Sequence, residues 1–508
     1  MTMIDRIAWL FVSLWIVIAT GVAATRPNIV FLLADDLGFS DLGCYGSEVA
    51  TPHLDSLAKE GLRFTQFYNT SKCFPSRACL LNGIYAQQSG MHRKHAKMQN
   101  AVTLAEVLKS AGYRTLMTGK HHGTENPFER GFDRYFGLRD GACNYFNPGR
   151  QRDGEGQPAQ KNPQRAWCID HVTYKPYTPA EKDFYTTDAF TDAALGYLDD
   201  YKKETTPFFL YLSYNAPHDP LQAWPEDIAK YRGKYQAGYS KTRAARWAKQ
   251  RSLGLFTDDV LLSDQEATAW NRLTEAEKDE ADLRMAVYAA MIDRLDQNVG
   301  RLLTKLETLG KRENTIIFFA SDNGGSAETV ERGDGPIGSM TRWTSLKRDW
   351  ANVSNTPFRK YKNDSMEGGI TSPLIVSWPG HFKRPSSFVR TPSHLIDIMA
   401  TLADFGQADY PTSWKGQPVT PLQGVSLRPL LEGRPFTRSA PLFWQWNKGR
   451  ALRIGRWKLV SHGRPWELYD LEADRTERDD VSHLQPGVTR HLAHLWEAWA
   501  DEVGLGQR

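Results

Sequence analysis

The chain has 508 residues, enough for one large or two unequal domains with a substantial core, and a formal net charge of +4 at pH 7. So small a surplus, with no basic run beside an aromatic repeat, argues against nucleic acid as the main partner. The 16 Trp and 20 Tyr fit carbohydrate-stacking surfaces and equally an aromatic core, of which the core is the simpler assignment.

At the amino end, Arg6, an apolar run over residues 7–19 and the small residues Val22-Ala23-Ala24 read as a secretory signal over residues 1–24. The run is too short to span a membrane. The expectation is an exported protein, periplasmic or extracellular, with no stable membrane anchor.

Residues 28–33 form an apolar run of the kind expected of a central parallel strand covered on both faces. Asp35 and Asp36 follow at its carboxyl end, where open α/β sheets place ligands, and two adjacent anions need a cation to offset their repulsion. Alone, such a pair is a solvated turn; a partner Asp-Asn at a later strand end changes that reading. Thr51-Pro52 through Glu60-Gly61 predicts a short helix, with an N-cap, a first-turn proline and a terminating glycine. Residues 63–70 alternate as a strand and lead into Cys73-Phe74-Pro75-Ser76-Arg77, which runs on to Asn82 and Gly83. That stretch sets a thiol, a hydroxyl and a guanidinium at a helix start, where backbone N–H groups favour anions. A cysteine there is an acidified nucleophile or a buried thiol, and on residue type alone burial is commoner.

Thr103 and Glu106 predict a capping box for a helix ending near Ser110. A strand over 113–117 precedes Gly119-Lys120-His121-His122-Gly123, which lacks the earlier glycines of a nucleotide-binding P-loop. Residues 141–179 are turn-rich and read as a long loop or insertion near the site. After a helix over 187–203 and a buried strand over 207–214 comes His218, held between Pro217 and Pro220 in a restricted loop. Residues 241–280 read as charged surface helices and 281–309 as one long amphipathic helix. A third buried strand, 315–320, is followed by Asp322-Asn323-Gly324-Gly325. With Asp35 and Asp36 these residues offer oxygen donors only, a hard-cation set that favours Ca²⁺ or Mg²⁺ over zinc. Lys362, with Lys360 as the nearby alternative, stands before Glu367-Gly368-Gly369. A strand over 374–378 and a helix over 394–405 complete the larger part. Beyond a Pro- and Gly-rich stretch, strands at 451–454, 457–461 and 466–470 and a helix over 487–503 predict a smaller α+β unit. The expected division is 25–436 and 437–508.

Cys73-x-Pro75-Ser76-Arg77, followed by three residues and then Leu81-Asn82-Gly83, resembles the signature of the type I sulfatases. Asn82 stands where that family usually has Thr, and Ile84 where a basic residue is usual. Gly112-Tyr113-Arg114-Thr115 with Gly119-Lys120-x-His122 resembles the second motif of the family, and Asn355 through Lys362 to Glu367-Gly368-Gly369 resembles another; together they look most like the bacterial arylsulfatase branch. The resemblance implies an α/β, alkaline-phosphatase-like fold: a large mixed, mostly parallel sheet with helices on both faces, plus a C-terminal subdomain on a short antiparallel sheet. It implies that a formylglycine-generating maturation enzyme oxidises Cys73 to Cα-formylglycine, whose hydrated aldehyde attacks sulfur and forms a covalent sulfate-enzyme intermediate. It selects one Ca²⁺, held by Asp35, Asp36, Asp322, Asn323 and the modified Cys73. Lys120 and Lys362 would bind sulfate oxygens, His122 the formylglycine, and His218 would protonate the leaving oxygen. Arg77 would orient the formylglycine and share in neutralising the sulfate.

Conversion of Cys73 leaves Cys44, Cys79, Cys143 and Cys168, of which Cys143 and Cys168, flanking the turn-rich loop, are the expected disulfide pair. The expected substrate is a sulfate ester, aryl sulfates in assay and a sulfated glycan in nature. Trp444-Gln445-Trp446-Asn447 reads as a loop that packs its aromatics or lines a sugar pocket. The rivals are a phosphonate or phosphate ester hydrolase on the same scaffold and a non-catalytic, calcium-containing glycan-binding protein.

Overall fold

The computed structural model describes residues 26–505, so the expected signal over 1–24 lies outside the described residues. In chain order the strands of the large sheet begin with β1 (Asn28–Asp35), β2 (Leu62–Tyr68), β3 (Arg114–Gly119) and β4 (Arg134–Leu138). They continue with β5 (Trp167–Ile169), β6 (Val172–Tyr174), β7 (Phe208–Pro217) and β8 (Thr315–Ser321). A two-residue ribbon, β9 (Glu331–Arg332) with β10 (Trp343–Thr344), precedes β11 (Thr371–Ser377), β12 (Ser387–Val389) and β13 (Ser393–His394). A second ribbon, β14 (Ser413–Trp414) with β15 (Gln417–Pro418), leads to a four-stranded antiparallel sheet. That sheet is β16 (Leu442–Trp446), β17 (Gly449–Ile454), β18 (Trp457–His462) and β19 (Glu467–Asp470).

The large sheet has the order β12-β2-β11-β8-β1-β7-β3-β4-β5-β6, with β13 beside β2. Its central strands β8, β1, β7, β3 and β4 are parallel, whereas β11 runs against both β8 and β2. Side chains alternate across a strand, so Ile29, Phe31 and Leu33 join one apolar core while Val30, Leu32 and Ala34 join the other. Both faces of β1 are covered, which is why its sequence is apolar without alternation. Each such side chain contributes roughly 1.5–3 kcal/mol by burial. The long helix Glu275–Thr308 lies on one face, and the helices Cys73–Asn82, Leu104–Ser110 and Asp397–Gly406 pack into the core of the other.

Four expectations need correction. The stretch 141–179 is not all loop: β5 and β6 extend the large sheet, and Trp167 stacks on Tyr177 with ring centroids 5.0 Å apart. The segment 241–280 is not all surface: Tyr239–Ser252 is a helix whose Arg243 and Arg246 are buried. The long helix starts earlier than residue 281, where Thr274 and Glu277 form a capping box. Cys143 and Cys168 are not paired; all five cysteines are free and buried, with Cys168 on β5 and its Sγ 3.4 Å from the Thr173 hydroxyl. Among the described residues no helix is long and apolar enough to cross a membrane.

Candidate active site

The candidate residues converge because of strand direction. β8, β1, β7 and β3 are parallel, so their carboxyl ends share one edge, and those ends carry Asp322-Asn323, Asp35-Asp36, His218 and Lys120. β2 is reached from β8 through the antiparallel β11, so β2 also ends at this edge and delivers Cys73. β11 begins here, which brings Lys362 and Glu367-Gly368-Gly369, just upstream, to the same place.

Asp35, Asp36, Asp322 and Asn323 are all at most 2% exposed. Lys120 Nζ donates to Asp35 Oδ2, Arg77 Nε to Asp322 Oδ2 at 2.8 Å, and Lys362 Nζ to Asp36 Oδ2 at 2.8 Å. Asn323 Nδ2 donates to Asp36 Oδ1 at 2.7 Å. Two acceptors are left over: Asp35 Oδ1 and Asn323 Oδ1 are buried without a donor. Unsatisfied buried oxygens are costly, and a hard cation satisfies several at once, so the residues present fit Ca²⁺ or Mg²⁺. Burial, reinforced by Asp35, pushes the Asp322 carboxyl up to about 7 against the pull of Arg77 and Lys120. Burial would also raise Asp36, but His218 and Lys362 outweigh it and hold that carboxyl well below the usual range.

Among the described residues, ligand-type atoms of Asp35, Asp36 and His218 lie within 4.8 Å of one another. His218 stands beside these oxygens, and the neighbouring acids act on its ring. Burial would lower its pKa, yet Asp36, 3.6 Å from Nε2, together with Asp35 and Asp219 raises it to about 9. Its Nδ1 lies 2.6 Å from the Asp219 carbonyl oxygen, which leaves Nε2 toward the acids.

Local backbone geometry fixes these groups. Asp36 has φ 64°, a left-handed conformation that costs a non-glycine residue ~1–3 kcal/mol. Tyr288 holds it there, its hydroxyl donating to the Asp36 carbonyl at 2.9 Å. A Cβ on Gly324 would lie 1.9 Å from the Gly368 carbonyl oxygen, so the Asp322-Asn323 turn and the Glu367-Gly368-Gly369 segment touch backbone to backbone.

Cys73 opens the helix Cys73–Asn82, which ends at Gly83 with φ 69°. The turn before it is tied by Ser76, whose Oγ accepts from the Thr70 N–H at 2.9 Å. Cys73 is 1% exposed and lies within electrostatic reach of both Arg77 and Lys362. Arg77 also donates to the Lys120 carbonyl at 2.8 Å and to the Ser213 hydroxyl. His122 is partly buried and edge-on to Phe74, ring centroids 5.7 Å apart. Burial, with Lys120 and Arg77 adding to it, keeps that imidazole neutral.

The two lysines considered before Glu367 separate cleanly. Lys362 reaches Asp36, whereas Lys360 pairs with Glu266 at 2.8 Å and is partly exposed. Reasoning from sequence missed Glu328, which lies 3.4 Å from Lys362 and 3.7 Å from Lys72. It also missed Ser213 under Arg77 and Tyr288 behind Asp36. A lone acid in a loop and a hydroxyl inside a strand or helix carry no spacing signal. The stretch Trp444–Trp446 is strand β16 rather than loop. Trp444 is buried and donates to the Asn69 carbonyl at 2.6 Å, whereas Trp446 packs edge-on to Phe74 and donates to Asn363 at 3.0 Å. Trp446 lines a cleft of about 820 Å³ shared with Arg93, Lys362, Lys448 and His462.

Comparison with known proteins bears on this edge. The family model described as Sulfatase matches residues 27–408. A Schizosaccharomyces pombe protein named as an uncharacterised sulfatase is 31% identical over 530 residues, covering 94% of each chain. The arylsulfatase of Klebsiella aerogenes is 31% identical over 449 residues, covering 82% of this chain and 94% of its own. The solved structure of Ps i-CgsB in complex with k-i-k-neocarrahexaose matches with a TM-score of 0.69 at 26% identity, covering 94% of this chain and 93% of that one. The mixed sheet with a small C-terminal antiparallel sheet is the alkaline-phosphatase-like fold. By the matched span and these relatives, the chain belongs to the sulfatase family and is a sulfuric ester hydrolase.

Proposed function

We propose that the chain hydrolyses sulfate monoesters of a carbohydrate through a formylglycine formed from Cys73. One Ca²⁺ would be held by Asp35, Asp36, Asp322, Asn323 and the modified residue 73. The observation that carries this reading is the buried Cys73 beside Arg77 and Lys362, at the edge where Asp35 and Asn323 each keep an unpaired oxygen. Once present, the cation supplies charge for the sulfate oxygens, and the hydrated aldehyde supplies a nucleophilic hydroxyl and a second hydroxyl for sulfate release.

The chain's own groups do the positioning. Lys120 and Lys362, fixed by Asp35 and Asp36, face the anionic oxygens, and Arg77 orients residue 73 while adding charge. His122, whose imidazole is held neutral by desolvation and by its cationic surroundings, would hydrogen-bond to the modified residue 73. His218, its Nδ1 turned to Asp219 and its proton held by the surrounding acids, gives that proton to the leaving oxygen from Nε2. A glycan substrate is supported by the Trp446 cleft beside Lys362 and by the carbohydrate in the Ps i-CgsB complex. The signal reading of residues 1–24 makes the protein an exported one, matured by a formylglycine-generating enzyme.

Sulfate release from defined sulfated oligosaccharides, set against turnover of matched phosphate esters, tests the reading. Faster turnover of the phosphates would favour the phosphoester rival. His218→Ala is expected to cost about 10²–10⁴-fold on an alkyl sulfate and far less on nitrophenyl sulfate, whose leaving group needs no proton. Equal losses on both esters would remove His218 as the acid. Trp446→Ala is expected to raise KM for the oligosaccharide about 10-fold, roughly the scale of one aromatic contact, and to leave KM for nitrophenyl sulfate nearly unchanged. A parallel rise for both would show that Trp446 shapes the centre instead of reading sugar.

A further inference from the structure

A separate cavity of about 450 Å³ opens between the β2 side of the large sheet and the C-terminal sheet. None of the residues placed at the sulfate edge lines it. Four arginines do: Arg390, Arg438, Arg453 and Arg475. Two are neutralised in the protein, Arg438 by Asp397 and Arg475 by Glu367. Of the other two, Arg390 has no acid partner among the described residues, and Arg453 only shares the buried Glu367 with Arg475 and Lys458. Among the described residues, Arg390 donates only to the carbonyls of Leu255 at 2.7 Å and Gly254 at 2.8 Å. Arg453 donates to the Tyr68 hydroxyl and the Gln66 side-chain carbonyl, and its Nε is buried with no hydrogen-bond partner. Arg453 is only 5% exposed.

A buried donor left unpaired on a guanidinium whose only acid is shared with two other cations is disfavoured unless something negative reaches it. The lone acid in the wall, Glu472, is 70% exposed and leans toward Arg456 at 3.9 Å. Phe256, Val260, Phe436 and Ile454 supply an apolar part of the wall, beside Thr65, Thr257 and Thr437. The volume exceeds what a bare oxyanion fills and lies in the ~300–1,000 Å³ range of small-ligand pockets.

We propose that this cavity is a second, non-catalytic site for a small organic ester of sulfate or phosphate, with Arg390 and Arg453 on the oxyanion and the apolar wall on its organic part. The proposal does not depend on the chemistry at Cys73. Its occupancy would also brace the catalytic core, because Arg475 in the same wall holds Glu367, which follows the Lys362 loop.

Titration calorimetry on the full chain, using glucose 6-phosphate and, in a Cys73→Ala background, glucose 6-sulfate, tests it together with crystals grown with each probe. The expected result is density for the oxyanion at Arg390 and Arg453. Binding should weaken at least 10-fold in Arg390→Gln, while kcat/KM for nitrophenyl sulfate stays within about twofold of wild type, Arg390 being remote from the reacting groups. Binding of both esters supports a general oxyanion site, and binding of one alone identifies its source. Density confined to the sulfate edge, or affinity unchanged in Arg390→Gln, overturns the proposal. Arg390 sits at the exposed mouth, so its variant keeps the test informative even if Arg453→Gln fails to fold.

Discussion

Cys73→Ala is expected to lower kcat on nitrophenyl sulfate by about 10⁴-fold or more, the scale on which a nucleophile working as part of a unit is lost. Alanine has nothing to oxidise, so neither an aldehyde nor its hydrate can form at that position. Peptide mass analysis of active wild-type protein should find formylglycine at residue 73, and the fraction converted should track specific activity. The substitution removes one buried sulfur from a helix otherwise anchored by Ser76 and Gly83, so unfolding should shift by only about 1 kcal/mol. A folded alanine variant with ordinary activity, or an unmodified thiol in fully active enzyme, would sink the assignment.

Lys362→Ala is expected to lower kcat/KM about 10²–10³-fold, as when one charged stabiliser of a developing anion is removed. It should also cost ~1.5–3 kcal/mol of stability, because the buried Asp36 loses a charge-assisted hydrogen bond while Asn323 and His218 remain beside it. Lys360→Ala provides the contrast: its pair with Glu266 is partly exposed, which limits the loss to ~0–1 kcal/mol. Denaturant unfolding and aryl sulfate assays on the two variants side by side decide the matter. Similar losses in both would mean that the family spacing has been laid on the wrong lysine.

What was legible in the sequence was local. β1, β7 and β8 announce themselves as uninterrupted apolar runs because both of their faces are covered. The polar residues just beyond them stand out against that background, which is how Asp35, Asp36, His218, Asp322 and Asn323 could be placed at strand ends. Cys73, Lys120 and Lys362 needed the motif resemblance, since residue type alone left each of them ambiguous. β5, β6 and β16 escaped because strands of three to five residues are too short to display a period-two signal. Glu328, Ser213 and Tyr288 escaped for another reason. Their partners lie far along the chain, and only the fold makes them neighbours.

The parallel run of β8, β1 and β7 has a consequence for descent. Spacing among the acid, amide and imidazole groups is governed by the ~4.8 Å step between hydrogen-bonded strands, and the connections that wander between them have little say in it. Insertions can therefore grow, shrink or be exchanged around the rim while the reacting centre keeps its dimensions. A lineage built on this frame can change its diet by editing its outer segments and inherit its chemistry intact.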